Sequence, residues 1–347
     1  MSERPGDLLF EARHLRVTFQ TDAGPVPAVS DVSFRVRRGQ TLGIVGESGS
    51  GKTVSSLAAL RLHDPRTTTV AATRLRFADL DLLTLPQRDL RKLRGNRIAV
   101  VFQDPMTSLN PYLRIGVQLC EVLTLHRGIA RSQAEELAVT LLGQVGLAAA
   151  PERMRSYPHE LSGGMRQRVA IAMALLCGPD LVFADEPTTA LDVTIQAQVL
   201  QVMRDQQMRS GMALVLVTHD MGVIAHMADH VLVMYGGLVL ESAPVAELFD
   251  APRHPYTVGL LACRPRPHKG RPRHLFAIAG TPPRPQEMLS GCVFAPRCGL
   301  ADARCRRDQP PETQASGPEH LVRCFRAEEV PQWARSQQLA EQEVVLG

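Results

Sequence analysis

Apolar positions along this chain change their period several times, and each change predicts an element. From Leu8 to Val36 the pattern alternates in short segments, Leu15-Arg16-Val17-Thr18-Phe19 and Val29-Ser30-Asp31-Val32-Ser33-Phe34. Period two predicts antiparallel strands, with the turn residues Gly24-Pro25-Val26-Pro27 between them. Continuous apolar runs follow at Thr41 to Val45, Ile98 to Phe102, Leu181 to Ala184 and Leu214 to Val217. Runs this short, with no polar face, predict strands buried on both sides of a parallel sheet. Between them the spacing turns helical over Val54 to Leu62, Ile115 to Leu147, Met165 to Cys177 and Val193 to Ser210. Gln133 to Val145 is the most clearly amphipathic stretch, whereas Asp64 to Arg97 gives only weak signals. Strand–helix alternation with apolar strands predicts an α/β fold with a largely parallel sheet and an N-terminal antiparallel β portion.

After about Asp250 the texture changes: prolines gather, arginines are interleaved, and apolar residues thin out. The pattern predicts a large domain over residues 1–250 and a loop-rich region over 251–347. A chain of 347 residues is long enough for that division, because single cores stop growing at about 250–300 residues. The 44% hydrophobic content is ordinary for a globular protein, and no apolar run reaches membrane-spanning length. The start, Met-Ser-Glu-Arg-Pro-Gly-Asp, lacks the basic-then-apolar pattern of a secretory signal, so a cytosolic location is expected. A formal net charge of +4 is too mild to indicate a nucleic-acid partner, and none is expected. Seven cysteines make an odd set for a disulfide framework. Four of them, Cys292, Cys298, Cys305 and Cys324, crowd into the C-terminal region and suggest a metal site.

The chemistry concentrates at strand ends. Gly46-Glu47-Ser48-Gly49-Ser50-Gly51-Lys52-Thr53 follows a predicted strand and opens a predicted helix, the context a phosphate-binding loop requires. Its glycines allow successive backbone N–H groups to face an anion, and the following helix presents its positive end. Lys52 would reach the β- and γ-phosphates, and the Thr53 hydroxyl would ligate Mg²⁺. Asp185, after Leu-Val-Phe-Ala, fits a carboxylate of the Mg²⁺ shell, and Glu186 beside it is placed to polarise an attacking water. Gln103 at another strand end has the reach for metal or water, and His219 for the γ-phosphate. Capping, a plain loop glutamine and an ordinary strand-end histidine are the bland alternatives for these residues taken singly. Ser162-Gly163-Gly164 opens a further helix and forms a second anion site from a hydroxyl, bare backbone and a helix N-terminus. One phosphate loop with two phosphate-binding devices makes sense if two such domains meet head to tail.

In this order and spacing the motifs resemble the ATP-binding-cassette family over nearly residues 8–250. The resemblance implies ATP and Mg²⁺ as cofactors, with Phe19 stacking on adenine. Ser48, Gly49, Ser50, Gly51, Lys52, Thr53 and Val54 would belong to the Walker A nucleotide site, and Gln103 to the Q-loop. Leu161 to Met165 matches the signature, with Ser162, Gly163 and Gly164 facing the nucleotide; Met165 stands where glutamine is more usual. Leu181 to Glu186 would be Walker B, Asp192 part of the D-loop and His219 the switch histidine. A helical subdomain is implied over about residues 105–160, the part that meets a permease in this family.

A narrower resemblance, to the C-terminal region of oligopeptide/dipeptide importer ATPases, rests on His254-Pro255-Tyr256-Thr257 and Gly291-Cys292-Val293-Phe294-Ala295-Pro296-Arg297-Cys298. It implies an ATPase powering peptide import at the cytoplasmic face of the bacterial inner membrane. The implied partners are two transmembrane permease subunits, an extracytoplasmic peptide-binding protein, and a second ATPase subunit, either related or a second copy. Another small solute such as nickel is an alternative cargo. A non-transport cassette ATPase acting on DNA or ribosomes is a further alternative, disfavoured by the absence of heptads and by the single Walker A. The four cysteines have intervening lengths of 5, 6 and 18 residues, without the C-x-x-C spacing usual for structural zinc. Longer loops between thiolates suit an iron–sulfur cluster, and the resemblance points to [4Fe–4S], with Zn²⁺ as the alternative. Arg297, Arg304, Arg306 and Arg307 are near enough in sequence to offset the cluster's negative charge.

Overall fold

The computed structural model describes residues 7–104, 108–263, 277–283 and 290–336. The chain divides into two compact units, each drawn from several stretches. Parts of the predicted helical region and of the proline-rich C-terminal region, residues 105–107, 264–276, 284–289 and 337–347, lie outside the described residues.

The first unit comprises residues 1–11, 35–41 and 76–217. Its centre is three parallel strands, Ile98–Val101, Leu181–Asp185 and Ala213–Val217, paired Ile98↔Leu181 and Leu181↔Ala213 onward. Every residue of the last two is buried, as continuous apolar runs require when both faces are covered. Around them run the helices Ile115–Arg127, Arg131–Gln144, Gly163–Leu175 and Val193–Ser210. The single helical stretch expected from Ile115 to Leu147 is therefore two helices. Gly128, at φ 65°, ends the first in the left-handed conformation that only glycine adopts at little cost. Cys120, Leu123, Ala134 and Cys177 pack where these helices meet.

The second unit comprises residues 12–34, 42–75 and 218–347. Here the phosphate-loop strand Thr41–Val45 lies parallel to His230–Tyr235, with Leu42↔His230 to Val45↔Val233 in register. His230–Tyr235 turns through Gly236 and Gly237, both at positive φ, into the antiparallel strand Leu238–Pro244. His320–Val322 then adds to Leu238–Pro244, and Thr313–Gly317 adds to His320–Val322. The expected N-terminal antiparallel portion is present, but its strands are longer than the alternation suggested, Leu8–Thr21 and Gly24–Arg37. The turn between them is Asp22-Ala23, and the expected turn residues Gly24 to Pro27 lie inside the second strand. The weakly patterned stretch after Asp64 supplies Thr68–Ala71, which pairs with the first of these strands.

The C-terminal region has more core than its composition suggested. Cys292, Phe294, Ala295 and Cys305 are buried in one cluster with Val45, Tyr235, Leu238 and Tyr256. The rings of Tyr235, Tyr256 and Phe294 form a triangle with centroids 4.8–5.3 Å apart, a favourable tilted and edge-on arrangement. A polar knot fixes the same region. The Glu241 carboxyl group, fully buried, accepts hydrogen bonds from the backbone N–H of Arg253 (2.6 Å) and His254 (3.0 Å). Its Oε1 also lies 2.8 Å from Nε2 of the equally buried His320. Removing the carboxyl group would strand two backbone donors in the interior, at about 1–3 kcal/mol each. Glu241→Ala is therefore expected to lower the free energy of unfolding by about 3 kcal/mol in denaturant titration. A variant as stable as the parent would show that the knot contributes little.

Candidate functional site

The phosphate loop of the second unit is shaped by backbone that other residues resist. Gly46, Gly49 and Gly51 stand at φ 151°, 79° and 97°. A Cβ on Gly46 would lie 2.1 Å from the Met234 carbonyl oxygen, and one on Gly51 would lie 2.8 Å from that of Ala28. Both positions need glycine for space as well as for conformation, whereas Gly49 faces open space and needs it for conformation alone. The helix Lys52–Ala59 starts from Gly51 with no side-chain cap, so the donors of its first turn are left to the loop. The Lys52 ammonium, 8% exposed, donates to the carbonyls of Gly46 and Glu47, both at 2.8 Å. It reaches Ser50 Oγ at 3.5 Å. Ser48 and Gly49 are exposed at the loop's tip, Ser50 is buried, and Thr53 and Val54 are half-buried in the first helical turn. A ring of backbone donors with an ammonium beneath it can hold a phosphate chain, and the Thr53 hydroxyl is a hard oxygen donor suited to Mg²⁺.

Two other predicted residues belong to this unit. Phe19 is half-buried near the end of its strand and meets His63 edge-to-face, with centroids 5.5 Å apart. His219 is exposed just after strand Ala213–Val217, where the Thr218 N–H donates to the Ile44 carbonyl (3.2 Å) of the phosphate-loop strand. Asp220 then caps the next helix by accepting from the N–H of Gly222 and Val223.

The remaining predicted residues gather in the first unit around residues 185–192. Asp185, 5% exposed, ends its strand, and Glu186 follows at φ 46°, a left-handed conformation that costs a non-glycine residue on the order of 1 kcal/mol. That strain turns the Glu186 carboxylate out of the strand line. There it accepts from Gln103 Nε2 (3.3 Å) and Thr189 Oγ1 (3.0 Å), while its backbone N–H donates to the Val217 carbonyl. Ser162 caps helix Gly163–Leu175, its Oγ accepting from the Met165 N–H at 3.3 Å. Gly164 faces the Ala190 carbonyl and the Leu191 side chain, each 3.3 Å from where its Cβ would stand, and Gly163 faces open space. Asp192 caps helix Val193–Ser210 through the Ile195 N–H. The pattern gave no sign of Gln167, which is 1% exposed and donates to the Pro187 carbonyl (2.9 Å), tying the Ser-Gly-Gly helix to the segment after Glu186.

The four clustered cysteines converge. Cys292, Cys298, Cys305 and Cys324 all line one cavity, walled by Phe294 and Phe325 among others. Among the described residues no group of three or more His, Cys, Asp or Glu is arranged to hold a metal ion as it stands. The donor chemistry of the cavity nevertheless fits a thiophilic group, with four sulfurs and no carboxylate in the lining. Backbone N–H groups lie against the sulfurs: Phe294 and Ala295 at Cys292, Leu300 and Ala301 at Cys298, and Arg326 at Cys324. Burial pushes the thiols of Cys292, Cys298 and Cys324 up, Cys298 to about 11 and Cys324 to about 12, so a bound cation would be needed to hold these three as thiolates. Three of the four arginines expected to offset cluster charge make other contacts. Arg297 binds Glu47, Arg304 lies over the Phe325 ring, and Arg307 pairs with Asp308.

Comparison with known proteins places these features in a family context. The family model for "ABC transporter" matches residues 29–189, and that for "Oligopeptide/dipeptide transporter, C-terminal region" matches residues 240–305. The chain is 46% identical over 323 residues to the oligopeptide transport ATP-binding protein OppD of Salmonella typhimurium, covering 93% of this chain and 95% of that protein. It is 47% identical over 322 residues to the oligopeptide transport ATP-binding protein AppD of Bacillus subtilis, covering 92% and 97%. Among solved structures it resembles the dimeric post-hydrolysis state of the ATP-binding cassette MJ0796 bound to ADP and Pi. That match has a TM-score of 0.61 and 26% identity, over 68% of this chain and 99% of that one.

Proposed function

The chain belongs to the ABC transporter ATPases of the oligopeptide/dipeptide type, and from that premise we propose that it hydrolyses ATP to drive peptide import. The observation that carries this reading is the similarity along more than nine-tenths of the chain, including the C-terminal region that generic cassettes lack. The cassette occupies residues 1–250, with its helical subdomain at about 105–160, and residues 251–347 form the region particular to the peptide-transport type. No helix among the described residues is long and apolar enough to cross a membrane. In this reading passage falls to two transmembrane permease subunits, with this chain peripheral on the cytoplasmic face of the inner membrane and an extracytoplasmic binding protein delivering peptide.

The residue roles follow from chemistry. Gly46 to Val54 hold the phosphates of ATP, and Phe19 covers the adenine. Thr53, Gln103 and Asp185 supply oxygens to Mg²⁺, a set that suits a hard cation. Glu186 accepts a proton from the attacking water and His219 hydrogen-bonds the γ-phosphate. Ser162, Gly163 and Gly164 close on the nucleotide of a second cassette, either a second copy or a related subunit, and Asp192 lies beside that contact. The dimeric form of the MJ0796 cassette supports such pairing. ATP binding closes the pair, and hydrolysis reopens it. Glu186→Gln is expected to reduce steady-state turnover at least 100-fold with ATP affinity within about 2-fold, whereas Lys52→Ala weakens binding itself. Turnover that survives Glu186→Gln would remove the proposed base.

Cys292, Cys298, Cys305 and Cys324 would hold a [4Fe–4S] cluster, with Zn²⁺ as the competing occupant. Convergence of four sulfurs and the N–H groups around them support the site, since hydrogen bonds to sulfur stabilise an anionic cluster. Its role is structural, adding folding free energy to a region of short elements. Protein purified without oxygen is expected to be brown, with broad absorption near ~400 nm, and to bleach when any of the four is changed to serine. Stoichiometric zinc without iron would replace the cluster with the alternative, and absence of both would remove the metal site.

A further inference from the structure

The second residue of the phosphate loop is tied to the C-terminal region from both its ends. The Glu47 backbone N–H donates to Tyr256 Oη at 2.8 Å. Its carboxylate accepts two hydrogen bonds from the Arg297 guanidinium, Nη1 to Oε2 at 2.6 Å and Nη2 to Oε1 at 3.1 Å. This fork-to-fork pairing fixes direction as well as distance. The Arg297 side chain is only 5% exposed. Its remaining donors are also used: Nε on the Ala279 carbonyl (2.7 Å), Nη2 on the Ile278 carbonyl (3.1 Å) and Nη1 on Tyr235 Oη (3.1 Å). A guanidinium held at five acceptors cannot shift without breaking buried, charge-assisted bonds. The Glu47 carbonyl, in turn, accepts from the Lys52 ammonium at 2.8 Å. A continuous chain of bonds thus runs from Arg297 through Glu47 to the lysine of the phosphate loop.

Arg297 ends the short 3₁₀ turn Ala295–Arg297, which fills the interval between Cys292 and Cys298. That turn is anchored by the Cys292 N–H on the Cys305 carbonyl (2.8 Å) and the Ala295 N–H on the Cys292 carbonyl (2.9 Å). Close packing adds to this, since a Cβ on Gly291 would stand 2.4 Å from the Cys305 carbonyl oxygen. The backbones of Cys292 and Cys305 thus help to place the turn that carries Arg297.

We infer that Arg297 is a positioning residue through which the state of the four-cysteine site is read as nucleotide affinity at the phosphate loop. Cysteines held together fix the Cys292–Cys298 turn, the turn aims Arg297, and Arg297 holds Glu47 so that the loop's N–H groups stay open to phosphate. This rests on the reading of Gly46 to Thr53 as the ATP site, and it is indifferent to which metal group the thiols take.

The test is equilibrium titration of the purified full chain with a fluorescent ATP analogue, in a double-mutant cycle. Glu47→Gln, nearly isosteric, is expected to weaken binding about 10-fold by removing the charge that Arg297 grips. Arg297→Lys, which keeps the charge but not the fork, should weaken it about 3-fold. Cys292→Ser should weaken binding in the parent protein yet change it less than about 2-fold in the Glu47→Gln background, because both act through one path. If Cys292→Ser does not fold, Cys324→Ser takes its place in the cycle. Unchanged affinity in folded Glu47→Gln, or a full and additive loss on combining it with the cysteine variant, would overturn the inference. Lys52→Ala separates the two readings: if it binds nucleotide as the parent does, the ATP-site assignment is what fails.

Discussion

A loop of backbone N–H groups open to an anion is an unstable thing for a chain to keep, because those donors seek the nearest carbonyl. This protein holds the loop open by three means. Gly46, Gly49 and Gly51 take positive φ angles that stop the segment from continuing strand Thr41–Val45 or joining helix Lys52–Ala59 too early. Lys52 donates to the Gly46 and Glu47 carbonyls and so bridges the start of the loop to the helix that follows it. Glu47 is fixed from outside by Tyr256 and Arg297. The third means ties the phosphate loop to residues as distant as 256 and 297 within the second unit.

The first unit is organised around a different strain. Glu186 leaves its strand in a left-handed conformation. Gln103 and Thr189 hydrogen-bond its carboxylate, and Gln167 holds the Pro187 carbonyl that follows it. A carboxylate so constrained suits proton transfer from water, where a small error in aim costs rate. The same unit carries the Ser162-Gly163-Gly164 helix end, and Gly164 lies against Ala190 and Leu191. The helix end thus packs against the segment that follows Glu186.

Elements governed by local pattern were legible in the sequence. Helix Val193–Ser210 has the predicted ends because Asp192 caps it and Gly211 stops it in the left-handed region. The phosphate loop and the Ser162 cap were equally local. Prolines misled the reading of the first hairpin: Pro25 and Pro27 suggested a turn, yet Val26, Val29, Val32, Phe34 and Val36 are all buried along one strand that contains them. The clustering of four cysteines in the C-terminal region was legible and they do line one cavity, but no group arranged to hold a metal is found among the described residues. The packing of that region was not legible. Tyr235 and Tyr256 complete the core around Phe294, and the Glu47–Arg297 pair spans 250 residues, with no pattern linking these ends. Tertiary contacts between unlike segments leave no period to detect.

The central claim, that this chain turns ATP hydrolysis into peptide import, is tested most directly by transport. The complete transporter, with this chain and its permease subunits in sealed proteoliposomes, is given ATP on the side that carries the chain. A labelled oligopeptide mixture and the binding protein are supplied on the other. Peptide is expected to accumulate on the ATP side only while ATP is being hydrolysed, and not at all when the chain carries Glu186→Gln. Peptide accumulation that persists with that variant, or hydrolysis by the intact complex with no peptide movement, would contradict the account.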